Sequence, residues 1–142
     1  TDSNGDRLGD ACAGDYDGDL VPDGQDCAPS RRTAGRPTEV ANLLVARGTP
    51  SQIEWSELPT ADRYDVLRGA VALRATGDYG SCQTSRDADP TDTVFNEPDL
   101  PASGSAFAFL VRGRDTECGG AGTYGTRSNG TERLNTNPTT CP

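Results

Sequence analysis

The chain has 142 residues, 32% of them hydrophobic and 6% aromatic, with 17 Gly and 10 Pro. That length holds one ordinary domain plus a small module, and many turn residues with a modest apolar fraction favour a small β sandwich over a helical bundle. The net charge is −9; Lys and His are absent, which argues against a phosphate-gripping basic face, hence nucleic acid, and rules out Ser-His-Asp or Cys-His catalysis.

The acidity is local. Residues 1–27 hold eight Asp and one Arg, and fall into two half-similar units, "DSNGDRLGDAC" and "DYDGDLVPDGQDC", each ending in Cys. Carboxylates this dense repel one another unless a cation gathers them. Calcium takes six to eight oxygens, and a calcium loop supplies them at positions 1, 3, 5, 7, 9 and 12. With Asp15 as position 1, Asp17, Asp19, the Val21 carbonyl, Asp23 and Asp26 fill the whole ladder. In the first unit Asp2, Asn4, Asp6, the Leu8 carbonyl and Asp10 fill positions 1 to 9, but Ala13 stands at 12, so an acid of the neighbouring unit is expected to complete it. Magnesium fits less well, because it prefers few carboxylates and keeps its waters. A solvated acidic tail, the bland alternative, has no reason to keep this spacing. Leu20 where an EF-hand has Gly, and the lack of flanking helices, separate the segment from an EF-hand.

These two units resemble thrombospondin type 3 repeats, whose pattern runs D-x-D-x-D-G-x-x-D with a nearby Cys. The resemblance implies one, two or more calcium ions wrapped by the segment, with disulfides in place of a conventional core. Cys12 and Cys27 bracket the second unit and are expected to pair.

"APSRRTAGRPTE" has Pro, Gly and Arg without apolar periodicity and reads as a linker. From Val40 the chain alternates. "VANLLVARG", "SQIEWSEL" with Ile53 and Trp55, "RYDVLRG" with Tyr64 and Val66, "TDTVFNE", and "SAFAFLVRGRD" with Phe107, Phe109 and Val111 are predicted strands, followed by a Gly-broken last strand in "GTYGTRSNGTERLN". No window predicts a helix. The expected organisation is repeats over 1–29, a linker over 30–39, a sandwich over 40–137 and an exposed tail over 138–142.

The strand series resembles a fibronectin type III domain, with Trp55, Tyr64 and Phe107/Phe109 at its core aromatic places, in the variants that follow type 3 repeats in bacterial surface and secreted proteins. That topology implies that the loops holding Cys82 and Cys118 lie at one end, hence a Cys82–Cys118 bridge, with Cys141 unpaired or intermolecular. Five cysteines without His favour disulfides over zinc and an oxidising, extracellular location.

No catalytic constellation is visible. Glu54 and Glu57 flank Trp55 on the solvent face, Trp55 is a core residue rather than a sugar platform, and "CGGAGTYG" lacks the strand–helix setting of a phosphate loop. "NGT" at Asn129 has the form of a glycosylation sequon. The chain opens at Thr1 within an acidic motif and is expected to be a processed product or a piece of a longer polypeptide; no stretch is long and apolar enough to span a membrane. The expected function is a non-enzymatic, calcium-stiffened adhesive or structural module, in the sharper form a subunit that polymerises through its termini. The alternative is a carbohydrate- or matrix-binding accessory module of a larger secreted protein.

Overall fold

The computed structural model describes residues 14–17, 22–31, 36–118 and 120–142. Seven strands follow in chain order: β1 Leu44–Ala46, β2 Ser51–Glu54, β3 Arg63–Ala70, β4 Ser81–Cys82, β5 Val94–Glu97, β6 Phe107–Asp115 and β7 Gly120–Ala121. They form an antiparallel three-stranded sheet, β1-β2-β5, and an antiparallel four-stranded sheet, β4-β3-β6-β7. This is the expected all-β, two-sheet sandwich. Helical structure among the described residues is limited to two short 3-10 turns, Val71–Thr76 and Thr84–Arg86, and no helix is long and apolar enough to cross a membrane.

The pleat explains the core. Ile53 and Phe95 stand opposite each other on β2 and β5, while Tyr64 and Val66 of β3 and Val111 of β6 project from the facing sheet. Trp55 and Leu58, on the connection after β2, close the cluster. Each such side chain contributes roughly 1.5–3 kcal/mol by leaving water. The Trp55 and Tyr64 rings meet edge to face at 5.3 Å. The Tyr64 hydroxyl accepts the Leu58 N–H at 2.8 Å, and burial raises its pKa. A charged clasp joins the sheets at the far end of β5. Arg68 of β3 donates to buried Glu97 at 2.8 Å and to Asp99 at 2.7 Å, with its guanidinium over the Phe107 ring. Arg68 beside Asp99 holds that carboxyl below the usual range.

Alternation fails on β3, where Tyr64, Asp65, Val66 and Leu67 are all buried. A second apolar layer covers the outer face of the four-stranded sheet. Leu67, Tyr124 and Cys141 form it, with Tyr79, Cys82 and Leu110 packed alongside. The chain after β7 supplies the cover. Asn135 accepts the Tyr79 N–H at 2.9 Å and donates to the Gly80 carbonyl at 2.7 Å, Asn137 donates to Asp78, and the Cys82 N–H reaches the Thr139 carbonyl at 2.8 Å. Beneath this layer Asp65 is neutralised by Arg112 at 2.8 Å, and Arg112 lies over the Tyr124 ring and donates to the Cys141 and Pro142 carbonyls.

Three expectations are corrected here. Residues 138–142 are not a free tail: Cys141 is buried and bonded to Cys82, so it is unavailable as an intermolecular link at the terminus. Cys82 and Cys118 do not pair. Cys82 stands opposite Leu67 of β3, whereas Cys118 lies beyond the Arg63↔Arg114 end of the same ladder. Four residues along a strand span roughly 13 Å, past the ~7 Å Cα separation a disulfide tolerates. The last strand is only Gly120–Ala121; the Gly-broken stretch after it holds a single bridge, Thr126↔Glu132, around a turn at Gly130. Asn129 is exposed in that turn, its side-chain oxygen accepting from the Thr131 N–H and hydroxyl.

Replacing Cys82 and Cys141 together by Ser removes a cross-link across a sequence separation of 59. The expected cost is about 4 kcal/mol on the chain-entropy account, read by urea denaturation. A loss under about 1 kcal/mol would mean that the polar stitching alone holds the outer layer.

Candidate metal centre and its anchor on the sandwich

Of the expected calcium ligands, Asp15, Asp17, Asp23 and Asp26 are described; Asp2, Asn4, Asp6, Leu8, Asp10, Asp19 and Val21 lie outside the described residues, as does Cys12. The visible part folds back on itself. The Asp23 N–H donates to the Gly14 carbonyl at 2.7 Å, and the Tyr16 N–H donates to Asp23 Oδ1 at 2.7 Å. The start of the ladder is thus pinned against its ninth position. The N–H groups of Gln25 and Asp26 both turn onto the Pro22 carbonyl, at 2.8 and 3.0 Å, which aims Asp26 inward.

Asp26 Oδ1 accepts the Ala28 N–H at 2.8 Å. Its Oδ2 is buried and has no hydrogen-bond partner among the described residues. A buried carboxylate oxygen without a donor is costly unless a cation meets it. The donor set, hard oxygens with one orphaned and shielded, fits calcium and not a soft or nitrogen-seeking metal. Among the described residues alone, no three acidic groups converge closely enough to hold a metal; the ladder needs Asp19 and Val21 as well.

The described residues of the segment expected to be a linker, with Cys27 and Ala28 before it, contact the sandwich. Cys27 is bonded to Cys118, 91 residues away and just past the end of β6, and not to Cys12. Ala28 is buried beside it. Arg31 donates to Asp115, the last residue of β6, whose side chain is fully buried, and its Nε lies 3.3 Å from Glu117. Asp115 also accepts the N–H groups of Glu117 and Cys118, both at 3.2 Å, so one carboxylate holds the turn that carries the disulfide.

Arg36 reaches the Ala121 carbonyl at 3.2 Å and Glu132 at 2.7 Å. Pro37 is fully buried in a slot that exists because residues 113 and 122 have no side chain. A Cβ on Gly122 would stand 2.8 Å from the Pro37 carbonyl oxygen, and one on Gly113 3.0 Å from the Pro37 ring. Glu39 then bridges to Arg112. Sequence patterning missed this contact set because Arg31 and Asp115 are 84 residues apart and neither belongs to an apolar period. A usable signal was an acid three residues before Cys118 matched by a base four residues after Cys27.

Glu54 and Glu57 are exposed, as expected, and Trp55 is in the core. The buried acids Asp65, Glu97 and Asp115 each face an arginine.

Residues 1–32 match the thrombospondin type 3 repeat family, a repeat class that binds calcium. Among solved structures, an Fn3-like protein from Clostridium thermocellum is similar at 20% identity, over 71% of this chain and 83% of that chain, with a TM-score of 0.35. A comparison with curated proteins finds no match.

Removing the anchor carboxylate should weaken the whole sandwich. Asp115→Ala leaves Arg31 and two turn N–H groups without their acceptor, and the expected loss is about 3 kcal/mol in urea denaturation. An unchanged midpoint would show that the disulfide alone fixes the turn.

Proposed function

We propose that the chain is a non-enzymatic extracellular structural module, in which calcium stiffens the type 3 repeat and a covalent anchor carries that stiffness into the β sandwich. The anchor is the observation that carries this reading: the cysteine closing the second acidic unit is bonded to the β6–β7 turn, which ties the end of the ladder directly to the sandwich. Asp15, Asp17, Asp19, the Val21 carbonyl, Asp23 and Asp26 hold one ion. Asp2, Asn4, Asp6, the Leu8 carbonyl and Asp10, with an acid lent by the second unit, hold another. Bound calcium supplies the positive charge that lets these carboxylates share one volume, and its binding free energy appears as ordering of the segment.

Two disulfides within one chain and a calcium ladder both suit an oxidising, calcium-rich exterior. The pairing of every buried acid in the sandwich with an arginine supports a scaffold rather than a catalytic cleft. The sandwich then presents its surface, or a neighbouring module, at a defined angle for adhesion or assembly.

Titration calorimetry on chelator-stripped protein is expected to reveal at least one calcium site. Asp17→Asn and Asp26→Asn should each weaken it at least about tenfold, by lowering the ligand charge. Proteolysis within residues 1–26 should slow in calcium relative to chelator. Absence of both the heat and the protection would overturn the proposal, as would hydrolase activity of the isolated chain for its non-enzymatic part.

A further inference from the structure

The four-stranded sheet stops short along one edge. β7 pairs with β6 only at Arg114 and Asp115, and the isolated bridge from Glu39 meets β6 at Arg112. From Phe107 to Val111, no described strand lies beside β6 on the side away from β3. Phe107 to Leu110 are all half-exposed, as are Ala70, Gly69 and Arg68, the β3 partners of Phe107, Ala108 and Phe109; only Leu67, opposite Leu110, is buried.

The facing sheet carries the matching defect. Val45 of β1 stands opposite Ile53, whose side chain is in the core, so the pleat turns Val45 and Leu43 inward. Yet Val45 is 55% exposed and Leu43 38%. A strand extending the four-stranded sheet past β6 would roof Leu43, Val45 and Leu110, and the described residues do not supply one. What remains is a groove of about 160 Å³ whose lining includes Leu43, Leu110, Val111 and Tyr124. The Tyr124 hydroxyl is buried there without a hydrogen-bond partner among the described residues, and a strand laid in the groove would bring carbonyls to it.

We infer that the groove takes β1 of a second copy of this chain, in a two-fold dimer. The Glu39↔Arg112 bridge is antiparallel, so the chain entering β1 runs opposite to β6. A two-fold axis parallel to the strands therefore lays the second copy's β1 antiparallel on the β6 edge, where main-chain hydrogen bonds recognise it. The same operation sets Leu43 and Val45 of one copy against Leu43 and Val45 of the other. Both open edges are closed at once, which makes the contact isologous and self-limiting: a dimer rather than a fibre. A second copy meets both open edges with a single patch. The contact needs no calcium and stands independently of the ladder. Its edge of five residues is roughly 17 Å long, so association is weak, in about the micromolar to millimolar range.

Sedimentation equilibrium of the full chain in chelator, from about 10 μM to 1 mM, tests it. A reversible monomer–dimer equilibrium is expected. Val45→Glu, at a position exposed in the monomer, should weaken it at least about tenfold by opposing like charges at the two-fold. Asn96→Glu, on the opposite edge of the same sheet, and Cys12→Ser should leave it unchanged. Circular dichroism of each variant checks that the fold is intact. Monomer throughout, growth beyond the dimer, insensitivity to Val45→Glu, or loss of the dimer with Cys12→Ser would each overturn the inference.

Discussion

The ladder between Arg63–Ala70 and Phe107–Asp115 pairs eight residues and sends side chains into a packed layer on each side. Tyr64, Val66 and Val111 point into the inter-sheet core, while Leu67 and Leu110 point into the outer cover. The remaining parts attach to these two strands. β4 hangs on β3, β7 on the end of β6, Glu39 on Arg112, and both disulfides end on elements next to the pair. Because β3 is dry on both faces, its Asp65 had to be neutralised, and Arg112 does this while also stacking on Tyr124 and holding the end of the chain. One buried charge thereby organises three separate segments.

The acidic repeat and the sandwich use opposite means to hold together. Carboxylates at alternate positions in the repeat need a cation brought from outside. In the sandwich, by contrast, each buried carboxylate has an arginine of the chain itself. Asp115 sits at the junction and belongs to the second kind, paired to Arg31 within four residues of Cys27. The junction therefore needs no metal, and the proposed calcium ladder would act only on the stretch before Cys27.

Sequence patterning revealed those parts of the molecule that obey a local period. Ile53, Trp55 and Tyr64 were legible because each has a polar residue on either side. The acidic spacing over Asp15–Asp26 stood out as a proposed ladder because calcium geometry would impose such a spacing. What escaped lacks a period. Disulfide partners follow from where β4 sits on β3, and a strand of two residues leaves no trace in hydropathy. The end of the chain, "NTNPTTCP", looked like a free tail because its order comes from the side-chain amides of Asn135 and Asn137 bonding to backbone and to Asp78, with Cys141 its one apolar anchor. Arg31, Arg36 and Pro37 were read as linker because they contact the sandwich through single charges and a slot between glycines.

The two disulfides also decide how the molecule would behave under tension. A pull entering through the repeat reaches Cys27 and passes across the bond to Cys118, bypassing every residue between them. If the load leaves at Cys141, the only covalent slack is the 23 residues from Cys118 to Cys141. Fully drawn out, these span roughly 80 Å, against about 390 Å for the uncrosslinked path from Cys27. Because the core strands β1, β2, β3, β5 and β6 lie inside the bypassed loop, they bear no direct load. A chain wired this way acts as a short tether with a fixed stop, yielding in its outer cover while the core stays folded.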